Sequence, residues 1–222
     1  MSFKNRLLSS FHDPARILVF LFFPAYMIIW FGIAQKLEPE VMIHCSLDDV
    51  IPFCEVFVIP YVLWYLYFAV PMLFFMFYSG KDFLRTGMML IFGITVSIFI
   101  FLIKPNAINF RPTSFSHDNI FVRVVLLIYS IDPPKSVFPS LHCYVAMAIT
   151  TGILKSEKFK GKFILKTICI IFTILVCMST VLIKQHSVLD FVGAVILLPF
   201  GYVFGFIIKW RFIYPKKETL KV

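Results

Sequence analysis

Three short groups of residues hold chemistry that the rest of an apolar chain lacks. Lys104 is followed seven positions later by Arg111-Pro112. Pro139-Ser140-Leu141-His142 comes next, and Ser179-Thr180 lead, after five further residues, to His186 and then to Asp190 four positions on. An ammonium and a planar guanidinium both suit phosphate oxygens, the guanidinium through a two-pronged fork. A proline in the first turn of a helix leaves the N–H groups around Ser140 and Leu141 free to face an anion, with the Ser140 hydroxyl as a further donor. His186 and Asp190 share a helix face, so the carboxylate can hold one ring nitrogen as N–H and leave the other as a nucleophile. His142 then protonates a leaving alcohol and later activates water or an acceptor alcohol. Taken singly, each group has a plainer reading: a satisfied polar histidine, a snorkelling lysine, a structural His–Asp bond or half of a metal site. No third metal ligand is evident, so no metal and no cofactor is expected, and His12, His44 and His117 join no constellation.

The elements that must position these groups are membrane helices. The 222 residues are 60% hydrophobic, 18% aromatic and only 15% charged, with a mean hydropathy of +0.90. Such a composition excludes disordered, collagen-like and disulfide-framework proteins. Apolar runs cover about 17 to 34, 55 to 78, 83 to 103, 140 to 154, 163 to 183 and 189 to 208. A helix needs about 20 apolar residues to cross a hydrocarbon core, so the expectation is an all-α bundle of about six transmembrane helices forming a single domain over 1 to 222. A further apolar run, Ile120 to Ile131, is too short to span and reads as a helix at the interface or over the loop.

Charge orients the bundle. Most of the 21 basic residues fall on one side: Lys4, Arg6, Arg16, Lys81, Arg85, Lys155, Lys158, Lys160, Lys162, Lys166, Lys209, Arg211, Lys216, Lys217 and Lys221. By the positive-inside tendency both termini are cytoplasmic, and the loops near 35 to 54, 104 to 139 and 184 to 188 face outward. The net charge of +9 then describes a solvated cytoplasmic face and not a nucleic-acid surface, because no soluble basic module is present. The same topology sets Lys104 at the outer end of the third span, His142 at the outer start of the fourth and His186 after the fifth. The three groups thus meet at one depth near the outer face, independently of their motifs. Cys143, Cys169 and Cys177 read as small packing residues, while Cys45 and Cys54, in or beside the first outward loop, have the option of pairing.

Lys104, six residues, Arg111-Pro112; then Pro139-Ser140-Leu141-His142; then Ser179, Thr180, five residues, His186, three residues and Asp190 resemble the three motifs of the type-2 phosphatidic acid phosphatase superfamily. The motif-bearing core runs from 104 to 190. The resemblance implies a helical membrane fold, no metal cofactor and a phosphohistidine at His186 oriented by Asp190. It also implies His142 as general acid and base, and Lys104, Arg111, Ser140 and Ser179 around the phosphate. The third motif ordinarily has arginine after its serine, where this chain has Thr180, and Lys184 is the candidate to supply the missing charge if helix continues from 180 to 184. Phe138-Pro139-Ser140-Leu141-His142 with Lys184-Gln185-His186 and Leu189-Asp190 is most similar to bacterial members related to inositol phosphorylceramide synthases. That branch implies a bacterial cytoplasmic membrane, a phosphorylated membrane lipid as substrate, and transfer of a phospho-alcohol to a lipid hydroxyl as the alternative to hydrolysis. A non-catalytic lipid-phosphate binder is the alternative of another class. The oligomeric state is not readable from the sequence.

Overall fold

A computed structural model describes residues 10–210. Lys4, Arg6, Arg211, Lys216, Lys217 and Lys221 of the charge pattern lie outside the described residues. The helices are α1 (Pro14–Gly32), the short α2 (Ser46–Val50), α3 (Val58–Tyr78), α4 (Gly80–Ile103), α5 (Ile120–Ile131), α6 (Leu141–Lys155), α7 (Phe163–Leu182) and α8 (Val188–Tyr202). A π-helical turn, Val203–Ile207, extends α8.

The six expected spans resolve into five helices long and apolar enough to cross a membrane and one that is not. The five cover Pro14–Lys36, Glu55–Tyr78, Gly80–Ile103, Phe163–Leu182 and Val188–Ile207. The exception is α6, whose 15 residues rise only about 22 Å. It is short because it is enclosed: it packs against α3, α4, α7 and α8, and ten of its residues, from Leu141 to Ile153, are buried. A helix surrounded by protein has no hydrocarbon thickness to match. Its small residues, Cys143, Ala146, Ala148 and Gly152, let neighbouring backbones approach, as helix packing in lipid requires. Tyr144 is the exception in size. Its hydroxyl donates to the Met89 carbonyl of α4 at 2.6 Å, and its ring lies directly on Gly93 of α4 and Gly201 of α8, where any Cβ would collide with it.

Polar groups inside the bundle find partners on other helices. Tyr67 of α3, Thr150 of α6 and Thr173 of α7 share one cluster of hydroxyls. Asp82 accepts from Ser79 and Ser156 at 2.6 Å each, tying the start of α4 to the end of α6.

At the opposite end the long connections are laced together. Strand β1 (Val41–Met42) runs parallel to β2 (Asn106–Ala107), and Ala107 bridges to Lys135. Helix α5 lies over this end as expected. It is capped by Asn119, which also donates to Glu55; Val122 is buried, and Val125 is buried beside Val58 and Tyr61, while Ile120, Leu127 and Ile131 stay exposed. Cys45 and Cys54 are both free thiols.

The tight Tyr144 contact yields a stability prediction. Gly93→Ala forces a fully buried, hydrogen-bonded ring to move, and is expected to cost about 1–3 kcal/mol. Denaturant unfolding in detergent reads this directly; an unchanged midpoint would show that the interface is slack.

Candidate active site

The segment between α7 and α8 is held open as a non-helical turn. Helix α7 stops at Leu182, and Lys184 takes a left-handed conformation at φ 53°, so positions 180 and 184 do not share a helix face. The Thr180 carbonyl accepts from the N–H groups of both Gln185 and His186, at 2.9 and 3.0 Å. Beyond the turn, Ser187 caps α8 and Asp190 completes a capping box. The Asp190 Oδ2 that accepts the Ser187 N–H at 2.9 Å also accepts from His186 Nδ1 at 3.1 Å. The tautomer with hydrogen on Nδ1 follows, because a carboxylate only accepts. Nε2 is thereby left unprotonated, as a nucleophile requires. Burial works against the His186 imidazolium. The Asp190 hydrogen bond and charge, helped by Cys143 and Asp132, outweigh burial and hold this imidazole above its ordinary range.

His142 stands in the first turn of α6 and is fixed by aromatic rings instead of a carboxylate. Tyr61 stacks on it at 4.6 Å between centroids, and Trp64 lies against it at 4.5 Å. The His142 and His186 rings are 5.7 Å apart at 61°, and His142 Nε2 is buried without a hydrogen-bond partner. Both histidines line a cavity of about 20 Å³, room for roughly one water, together with Arg111, Asp132, Lys135 and Gln185.

Arg111 is braced within this wall. One terminal nitrogen donates to the Asp132 carbonyl at 2.8 Å, the guanidinium lies 4.3 Å from the Tyr129 ring centre, and Nε is buried with no partner. Burial lowers its pKa, opposed by Asp132. The Asp132 carboxylate accepts from the Tyr61 hydroxyl at 3.3 Å and from Gln185 Nε2 at 3.2 Å. Burial raises its pKa against the pull of His186 and Arg111. An acceptor-only carboxylate fixes the Gln185 amide with nitrogen toward it, which leaves Gln185 Oε1 buried and unpaired. Unpaired donors and acceptors in one cavity are the mark of a site that water or a ligand completes.

Of the residues singled out from sequence, His142, His186, Asp190 and Arg111 are brought together. Ser140 is a helix cap, its hydroxyl accepting from Cys143 N–H and its own N–H donating to the Asp190 carbonyl. Pro139 consequently lies before the cap and not in the first turn, and the Ser140 N–H does not face an anion. The Ser179 hydroxyl donates to Val176 O at 2.6 Å, and that of Thr180 to Cys177 O, both within α7. Lys104 is more than half exposed, pairs with Glu40 at 2.8 Å, and does not line the cavity. Lys184 points to the other side of its loop, donating to the carbonyls of Asp48 and Ile51. The cation that lines the cavity beside Arg111 is Lys135, which also reaches Leu37 O and Glu38.

Sequence reasoning missed Lys135, Asp132, Gln185, Asn106 and Asp48. Asp132 carried a signal, being the only acidic residue between Asp118 and Glu157. Asn106 carried none: its Oδ1 accepts from the N–H groups of both Val137 and Phe138 at 2.8 Å, which pins the approach to α6 against β2. Among the described residues no group of three or more His, Cys, Asp or Glu side chains stands ready to hold a metal ion.

No family model matches this chain, and neither a curated protein nor a solved structure is significantly similar to it.

Proposed function

We propose that the protein is an integral-membrane lipid phosphatase or phosphotransferase that works through a phosphohistidine at His186, with its site at the outer membrane face and both termini cytoplasmic. In this reading α6 is a sixth crossing segment, wrapped by α3, α4, α7 and α8. The observation that carries the proposal is the His186–Asp190 pair set against His142 in a cavity that also holds Arg111. The resemblance of the three motifs agrees with it.

His186 Nε2 attacks phosphorus as the bond to the leaving alcohol breaks, and protonated His142 supplies that alcohol's proton. Water or an acceptor hydroxyl then attacks, gives its proton to His142, and the phosphorus–nitrogen bond breaks. Arg111 and Lys135 offer positive charge to the phosphate oxygens. A cavity with room for about one water admits a head group only if its wall moves, and Lys135, paired with the exposed Glu38, lies in that wall. An apolar groove of about 610 Å³ along α7 and α8 begins at Val181, Leu182 and Val188, which flank the histidine loop, and suits the chain of a lipid substrate.

A second reading, transfer of a phospho-alcohol to a lipid hydroxyl, is favoured by one observation. The cavity contains a carboxyl, Asp132, and an unpaired amide oxygen, Gln185 Oε1, both suited to accept hydrogen bonds from alcohols. Phosphate release at full rate with no acceptor lipid present would count decisively against it.

The purified protein in detergent, with chelator present, is expected to release phosphate from phosphatidic acid or a prenyl pyrophosphate analogue. His186→Ala should reduce this by about 10³-fold or more. Undiminished turnover in that variant would overturn the proposal. The pH dependence gives a second check. His186 must be unprotonated at Nε2 to attack, and Asp190 raises its pKa, so the titration midpoint of its ring, followed by histidine NMR, lies above the ordinary imidazole range. Asp190→Asn removes that pull. The midpoint is expected to move to lower pH while kcat/KM falls on the order of 10²-fold; a midpoint that stays in place would show that Asp190 does not set the state of His186.

A further inference from the structure

The acidic loop before α3 lies in no motif, yet it grips the histidine turn from both sides. Asp48 of α2 is 2% exposed. Its Oδ2 accepts from the Ser187 hydroxyl at 2.5 Å and from Cys45 N–H at 2.9 Å, and its Oδ1 accepts from Val188 N–H at 2.9 Å. One carboxylate thus takes two donors from the first turn of α8. On the other flank of His186, Lys184 Nζ donates to the carbonyls of Asp48 and Ile51, and Cys54 N–H donates to Leu182 O. Burial alone would raise the Asp48 pKa, but the bonds from Ser187, Val188 and Cys45 outweigh it and hold the carboxyl below its usual range.

These contacts form a continuous path to the proposed nucleophile. Asp48 fixes Ser187, the Ser187 N–H donates to Asp190 Oδ2, and the same oxygen accepts from His186 Nδ1. Lys184 is left-handed, a conformation that side chains other than glycine adopt rarely and that its neighbours must maintain. Its ammonium, tied to Asp48 and Ile51, supplies the anchor. We propose that Asp48 is a positioning residue for His186, acting across the bundle through Ser187 and Asp190. The proposal rests on His186 being the nucleophile. It adds Asp48, a residue of the first outward loop, to the groups that hold the nucleophile, without contact to substrate.

The test uses the full chain in detergent with histidine labelled at ¹³Cε1, which gives five signals, the His186 signal being the one lost in His186→Ala. The groups facing His186 are Asp190 of α8, Asp132 after α5, and His142 and Cys143 of α6; Asp48 itself faces Lys184, Cys45 and Ser187. Asp48→Asn should lower the His186 titration midpoint by about half a unit or more and lower kcat about tenfold with KM nearly unchanged. Ser187→Ala, which keeps the Asp48 charge, should move both in the same direction. Asp49→Asn removes an equal charge one residue away from an exposed ion pair with His44, and should move neither. In an Asp190→Asn background, Asp48→Asn should add little, because the path is already broken. A folded Asp48→Asn protein with the parent's midpoint and kcat overturns the proposal, as does a full additive effect on Asp190→Asn. If the parent turns over no phospholipid, the functional reading fails, while the His186 titration still decides whether Asp48 acts on this imidazole.

Discussion

A carboxylate with no exposed surface, Asp190, is the point on which this structure turns. Placing such a group in a bundle of apolar helices costs several kcal/mol unless donors surround it. Here both donors, the backbone that starts α8 and the ring of His186, fall on one oxygen, and the other is buried without a partner. Capping the helix and orienting the histidine are therefore one arrangement. A substitution cannot disturb the first without disturbing the second.

The other features of the site end follow from keeping that arrangement dry but reachable. The short α6 brings His142 to the depth of His186 because it is enclosed by helices and free of the lipid's length requirement. Aromatic rings from α3 hold His142 where a second carboxylate would have added another buried charge. The three connections at this end carry backbone groups that lipid cannot satisfy, and they satisfy one another through β1, β2, Asn106 and Asp48. What looks like loop is thus a hydrogen-bonded cover whose inner surface is the wall of the cavity.

Much of this was legible in the sequence, and the limits have physical causes. Apolar runs located the long helices to within a few residues, because twenty apolar residues in lipid have one stable conformation. The same criterion could not set the length of α6, whose composition resembles a span but whose 15 residues answer to protein neighbours. The His186–Asp190 pair was legible from its spacing, but not through the shared helix face expected: His186 stands in the turn before the Ser187 cap, and the capping box brings Asp190 to its ring. Lys104 and Lys184 were not, since a long side chain's direction depends on partners far along the chain: Glu40 for the first, the Asp48 and Ile51 carbonyls for the second. Thr180 showed the same dependence, its carbonyl shaping the turn while its hydroxyl bonds within α7. Asp48 and Ser187 are 139 positions apart, a pairing that no local pattern encodes.

The most direct test of the central claim is to catch the covalent intermediate. Rapid quenching of the purified protein during turnover of a lipid labelled in its phosphate should yield an acid-labile, alkali-stable phosphoprotein, with the label on His186 by mass spectrometry and absent from His186→Ala. Turnover with no labelled protein at any time, or a label on another residue, would contradict the account.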